Sequence, residues 1–242
     1  MIEMTANKSS TAKTAPCAQP GLDRRPYLAR LDLDGLQSAG SAHSHAGTGT
    51  RRRLLDAAID LFASQGYNAC SMREIAKAVN IGAPAIYNYY ASKTDLLIAS
   101  LDFVLSTFYG AVLKNPIPRN SEAALFAILR RHVLFGIMNR TFARAADALL
   151  NKELMLRELP LSHRFRYSNA MDEYRNILEE LIRDLVGNKA AVDFALLAFL
   201  VHEIVDRAGE WYEPASPLNP ADVADQCCEA VARMLGLPSV SK

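Results

Sequence analysis

The stretch from Ser71 to Lys93 reads Ser-Met-Arg-Glu-Ile-Ala-Lys-Ala-Val-Asn-Ile-Gly-Ala-Pro-Ala-Ile-Tyr-Asn-Tyr-Tyr-Ala-Ser-Lys. It holds no nucleophile motif and no metal-spaced His/Glu pair. The chemistry of its side chains is recognition of a polyanion that also presents flat, hydrogen-bonding edges. Asn88 has the donor and acceptor that suit an adenine edge, and the small apolar Ala83 and Pro84 suit thymine methyls. The Tyr87 and Tyr89 hydroxyls and the Lys93 ammonium suit phosphate oxygens. Arg73 suits a guanine or a phosphate, and Ser71 combines helix capping with a phosphate hydrogen bond. Arg51, opening the run Arg51-Arg52-Arg53, adds a phosphate contact. Charge runs are ordinarily solvated faces, and aromatic clusters are ordinarily core. Tyr87, Asn88, Tyr89 and Tyr90 are consecutive, however, and at about 3.6 residues per turn they cannot all point inward.

Presenting these groups together requires short helices joined by a tight turn. Leu54, Leu55, Ala58, Leu61 and Phe62 recur at helical spacing, and Gly66 is suited to end that helix. Ser71 with Glu74 three residues on forms a capping box, Ile75, Ala76 and Val79 face inward, and Asn80 tolerates a left-handed turn. The next helix starts near Ala83-Pro84, turns Ile81, Ile86 and Tyr90 inward and ends by Tyr90. Ser92 and Asp95 cap a long helix through Leu96, Leu97, Leu101, Val104 and Phe108. A helix-turn-helix of this kind sets its second helix in the major groove while the preceding helix braces on the backbone.

Around this segment the chain is otherwise helical. Residues 1–50 are rich in small and polar types and are expected to be disordered, with Arg24 and Arg25 as a possible phosphate-touching arm and His43 and His45 in a solvated linker. Beyond Asn115-Pro116-Ile117-Pro118, helices are expected near 121–138, 141–157, 161–186, 189–211 and 220–235, with Asn219-Pro220 opening the last and Gly236 closing it. No alternating strand pattern is present, so the fold class is all-α.

The bulk properties narrow the field. With 242 residues that are 50% hydrophobic, the chain can form one large core or two smaller ones. A net charge of +1 excludes a general polyanion binder and requires a local basic patch. Cys17, Cys70, Cys227 and Cys228 form neither a zinc ladder nor a disulfide framework, so no metal is expected and a reduced, cytoplasmic setting fits. Adjacent Cys227 and Cys228 are either small packed residues or a redox pair. No apolar run follows Lys8 and Lys13, so no signal peptide is expected. Ala190 to Val205 is too short and too interrupted to span a bilayer. Neither a nucleophile motif nor a phosphate loop is present. A third reading, an all-α enzyme, therefore has least support, and no cofactor is expected.

Leu-Phe-Ala-Ser-Gln-Gly-Tyr, then Ser-Met-Arg-Glu-Ile-Ala, then Ala-Ile-Tyr-Asn-Tyr-Tyr-Ala-Ser-Lys-Thr-Asp-Leu-Leu, spread over about Arg51 to Leu101, resembles the N-terminal domain of the TetR family of bacterial transcriptional regulators. Asn80 stands where that family commonly has glycine. The resemblance implies a three-helix DNA-binding domain over 51–95 and a helical effector-binding and dimerisation domain over 96–242. It implies a homodimer on a palindromic double-stranded operator. The last two helices would then form the dimer bundle, through Phe194, Leu197, Ala198, Val201, Val205, Val223, Val231 and Leu235, or these residues are intramolecular core.

Trp211-Tyr212-Glu213-Pro214, Pro217-Leu218-Asn219-Pro220 and Arg164-Phe165-Arg166-Tyr167 are similar to the branch regulating steroid and fatty-acid catabolism, several members of which respond to acyl-CoA thioesters. Such a ligand needs cations for its phosphates and an apolar slot for its chain. Arg131, His132, His163, Arg164 and Arg166 are candidate cations, and Phe135, Met138 and Phe142 candidate slot residues, unless the arginines pair with Asp172, Glu173 or Glu180 at the surface. The leading expectation is a ligand-released repressor of catabolic genes. A second is a repressor of an efflux system answering to a hydrophobic drug or metabolite.

Overall fold

The computed structural model describes residues 49–113, 117–187 and 192–238. Most of the 1–50 extension, with Arg24, Arg25, His43 and His45, lies outside the described residues. The elements are α1 (Thr50–Gln65), α2 (Met72–Ala78), a 3-10 helix (Ala83–Asn88), α3 (Lys93–Val112), α4 (Ser121–Met138), α5 (Arg140–Leu149), α6 (Lys152–Glu158), α7 (Leu161–Val186), α8 (Phe194–Asp206), α9 (Ala208–Trp211) and α10 (Pro220–Leu235). The described residues contain no strand, as the all-α reading expects.

Local chemistry sets the boundaries. The Ser71 hydroxyl accepts from the Glu74 N–H at 3.2 Å while the Glu74 carboxylate accepts from the Ser71 N–H at 2.7 Å, closing the capping box of α2. Asn80 follows with φ +65°, the left-handed conformation that lets the chain reverse into the 3-10 helix. Ser92 caps α3 by accepting from the Asp95 N–H at 3.0 Å, and Asn219 caps α10 by accepting from the Ala221 and Asp222 N–H groups.

Three expected helices differ. The element after the turn is wound as a short 3-10 helix, with Pro84 in its first turn. The 141–157 helix is two: Asn151 accepts from the N–H groups of Glu153 and Leu154, starting α6 afresh. The 189–211 helix begins only at Phe194, capped by Asp193, and breaks at Arg207 into α8 and α9. At Asn151 and Asp193 a short polar side chain satisfies the first N–H groups of the new helix, whereas the starts at Gly82 and Arg207 carry no side-chain cap.

α4 is the hub of the second half, packed against α10, α9, α7, α3 and α8. Where α9 meets α4 the backbones touch through Gly136 and Gly209: a Cβ on Gly209 would lie 2.9 Å from the Gly136 carbonyl. α3 continues from the first helices into the second half. It is long and apolar enough to cross a membrane by length and composition, yet it is largely buried and carries Asp102, 2% exposed, which pairs with Arg166 and accepts from the Tyr167 hydroxyl at 2.8 Å. α1 packs along both α3 and α5.

Phe194, Ala198, Val201, Val205, Val223, Val231 and Leu235 are buried within the chain and Leu197 half-buried, so these residues serve the intramolecular core. The exposed apolar residues of α8 lie on another face: Leu196, Phe199 and Leu200, at 53%, 44% and 40% exposure.

Candidate nucleic-acid interface and effector chamber

In the arginine run that opens α1, Arg51 and Arg52 are half-buried and Arg53 is exposed, and all three are tied back onto the chain. Arg51 Nη1 donates to the Tyr89 carbonyl at 2.7 Å, and its guanidinium lies 4.5 Å from the centre of the Tyr90 ring. Arg53 Nη2 donates to the Val79 carbonyl at 2.6 Å. Both acceptors end short helices, where unpaired carbonyls and the peptide dipoles favour a cation. Arg52 pairs with Asp56 and sits 4.1 Å over the Phe103 ring of α3. Arg51, expected on a phosphate, is thus a brace between α1 and the end of the 3-10 helix.

Ser71 is likewise committed to its cap: its hydroxyl donates to the Glu74 carboxylate at 2.7 Å. That bond, with the one from the Ser71 backbone, holds the Glu74 carboxyl below its usual range. The outward surface is formed by Arg73, Lys77, Pro84, Tyr87 and Asn88, all exposed, with Ala83 and Tyr89 half-buried beside them. Arg73, Lys77, Asn80, Ile81 and Ala83 line a shallow depression between α2 and the 3-10 helix. Lys93 is half-buried, its Nζ 4.2 Å over the ring of buried Tyr67. Ile86 and Tyr90 are buried, so the tyrosine run divides as helical geometry requires: Tyr90 inward, Tyr87 outward at 55% exposure.

A chamber opens around Phe108 of α3, whose ring meets His132, Phe135 and Tyr174 edge-on at 4.8, 5.6 and 5.6 Å. The larger lobe, about 270 Å³, has an apolar side of Val104, Leu105, Leu150 and Met171 and a polar wall including Tyr174, Arg175, His202 and Asp206. The smaller lobe, about 60 Å³, is lined by Phe135 and Phe142, the Gly136–Gly209 contact, and Arg140 and Arg144 of α5. Asp147 borders both lobes.

The polar wall is an ordered network. His132, 3% exposed, places Nε2 3.3 Å from Asp206 and Nδ1 3.0 Å from the Tyr174 hydroxyl. In the neutral ring Nε2 carries the proton toward the carboxylate and Nδ1 accepts from Tyr174. Burial drives the Tyr174 pKa well up and, with His132 beside it, the His202 pKa down. Burial would also raise Asp206, but the hydrogen bond from His132 and the nearby imidazoles outweigh it and hold this carboxyl low. Asp147 is pushed up to about 6 by desolvation and by the neighbouring Asp206 and Glu210.

Of the residues expected to hold an effector, His132, Phe135 and Phe142 come together at the chamber. The others do not. Met138 is 73% exposed, pointing off the end of α4. Arg131, whose pKa burial lowers, turns toward the Val112 carbonyl at 3.4 Å. Arg166 pairs with Asp102, His163 faces the Tyr167 ring at 6.2 Å, and Arg164 donates to the Leu159 carbonyl at 2.7 Å. Sequence reasoning missed Phe108, Tyr174, His202, Asp206 and Arg140. The available signal was the spacing of Tyr167 and Tyr174, which marks the inward face of α7 and sets Arg166 one residue off it.

Two family profiles match the chain: bacterial regulatory proteins of the tetR family over residues 54–100, and the tetracyclin repressor-like C-terminal domain over residues 119–235. The HTH-type transcriptional repressor KstR2 of Rhodococcus jostii (strain RHA1) is 25% identical over 202 residues, covering 79% of this chain and 93% of that protein. The transcriptional regulator YuxN of Bacillus subtilis (strain 168) is 32% identical over 85 residues, 34% of this chain and 29% of that protein. Among solved structures, AibR in complex with isovaleryl coenzyme A and operator DNA superposes with a TM-score of 0.63 at 24% identity, covering 75% of this chain and 96% of that one.

Proposed function

The chain belongs to the TetR family of bacterial regulatory proteins, and from that premise we propose that it is a homodimeric cytoplasmic repressor of catabolic genes, released from a palindromic operator by an acyl-CoA thioester. The reading face is Arg73, Lys77, Pro84, Tyr87 and Asn88, with Ala83, Tyr89 and Lys93 at its edge. Arg51 and Ser71 shape that face by bracing and capping it. The acyl chain occupies the larger lobe, and Arg140 and Arg144 meet the phosphates outside the smaller one. The repressor KstR2 and the thioester-bound AibR support the assignment of action and ligand class.

One observation carries the switching: the helix that lines the chamber is the helix on which the reader rests. α5 contributes Phe142 and Asp147 to the chamber and packs along α1. Phe142 meets Phe103 edge-on at 5.9 Å, and Arg52 of α1 covers the other reach of Phe103 at 4.1 Å. A ligand that displaces Phe142 therefore changes the support of α1. Release follows when the ligand prefers an arrangement in which the two reading elements no longer match adjacent major grooves.

The test is fluorescence anisotropy on a duplex that the protein selects from a random-sequence pool, at fixed salt, with and without acyl-CoA thioesters of graded length. At least one thioester should weaken binding tenfold or more, by the order of about 1.4 kcal/mol. Arg73→Ala should weaken binding without ligand and reduce the salt slope by about one, if it meets a phosphate. Affinity indifferent to every thioester would remove the acyl-CoA assignment and leave the DNA-binding regulator standing.

A further inference from the structure

The chamber's polar wall is unsuited to a plain hydrocarbon. His132 spends both ring nitrogens, on Tyr174 and Asp206, and so is internally satisfied. Its neighbour His202 is not. Tyr174, 2% exposed, is among the residues lining the larger lobe, and its hydroxyl, donating to His132, keeps lone pairs. His202 lines the same lobe, its ring centre 5.8 Å from Tyr174 and 5.6 Å from His132. The carboxylate of Glu203, 3.8 Å from its Nδ1, is too far for a hydrogen bond. Burial keeps this imidazole neutral, so it offers one donor and one acceptor. Asp147 and Arg175, the latter paired with Asp172, complete the wall, opposite Val104, Leu105 and Met171. A saturated chain entering here would strip water from these groups and return no hydrogen bond, a loss that sites of this kind convert into strong discrimination.

We infer that the acyl group accepted by this chamber carries a hydroxyl or keto oxygen, held by His202 with Tyr174 beside it, the rest of the chain lying on the apolar side. The inference rests on the thioester reading and narrows it. The isovaleryl group bound by AibR has no such oxygen, so the two proteins should differ in ligand choice. The larger lobe, about 270 Å³, admits an acyl group, and a six-carbon chain serves as the probe of its polar wall.

Isothermal titration of the full chain with hexanoyl-CoA and with its 3-hydroxy, 5-hydroxy, 3-oxo and 5-oxo counterparts tests this. At least one oxygenated thioester should bind on the order of tenfold or more tightly than hexanoyl-CoA. In His202→Leu that ratio should collapse toward unity, and Tyr174→Phe, which deletes a single oxygen, provides a second variant should the first not fold. Hexanoyl-CoA binding as tightly as all four counterparts overturns the inference while leaving the thioester reading intact. A ratio unchanged in both variants overturns the assignment to this wall. Binding of none of the five overturns the inference, and the graded-length series on operator DNA then decides separately whether the thioester reading stands.

Discussion

At the scale of single residues, type and environment part company most clearly in the arginines. Arg51 and Arg53 are the residues a sequence would offer to a phosphate, yet their guanidinium groups are drawn to the carbonyls of Tyr89 and Val79. Arg53 is exposed, as Arg73 is, yet its guanidinium is held by a carbonyl. The difference is geometric: α1 passes beside the carbonyl ends of both following helices, and an arginine is long enough to reach them. Asp147 shows the converse, an ordinary residue type made unusual by its neighbours. Its folded pKa is raised to about 6 by desolvation, Asp206 and Glu210, above the unfolded value of about 3.9. The folded state therefore holds this proton more tightly, and the stability so gained is present at low pH and lost as pH rises through about 6. Asp147→Asn should have a melting temperature that climbs relative to the unmodified protein between pH 4.5 and 7. A difference that stays flat across that range would show that the carboxylate cluster exerts no such strain.

At the scale of elements, the Gly136–Gly209 contact sets how closely α9 approaches α4. The two glycines are not equivalent. A Cβ on Gly209 meets the Gly136 carbonyl at 2.9 Å, whereas one on Gly136 meets its nearest backbone atom at 3.7 Å, an ordinary contact. Gly209→Ala should destabilise by about 1–3 kcal/mol through overpacking, while Gly136→Ala should be neutral or slightly stabilising because α4 gains helix propensity. Chemical denaturation of both variants checks this, and equal losses would mean that the backbone contact is not what holds α9. The helical pattern, the capping box at Ser71 and Glu74, the left-handed Asn80 and the caps at Ser92 and Asn219 were all legible in the sequence, because each is a local interaction between neighbours along the chain. The breaks at Asn151 and Arg207 were not, since apolar spacing continues across them. The chamber was half legible. Its aromatic and histidine members on α4 and α5 follow from type, but its polar wall is assembled from α7 and α8 at separations such as that between His132 and Asp206. The basic Arg164–Arg166 cluster drew attention by composition, although Arg166 is occupied by Asp102.

At the scale of the whole molecule, the exposed stripe Leu196, Phe199 and Leu200 on α8 is the strongest candidate for a self-complementary surface, since the apolar residues facing the other way already fill the core. Phe199→Glu should convert a dimer to a monomer in light scattering with helicity retained, and operator affinity should fall because two reading elements are no longer coupled. A dimer that survives the substitution would move the interface elsewhere. The seam between α1 and α5 has a different kind of consequence, one for modularity. Because the reader leans on the helix that lines the chamber, cutting the chain after α3 would uncover the flank of α1 and deprive Arg52 and Phe103 of their neighbour Phe142. The reader is therefore not a detachable cassette. Grafted onto another sensor, it would need that sensor to supply a helix in the place of α5.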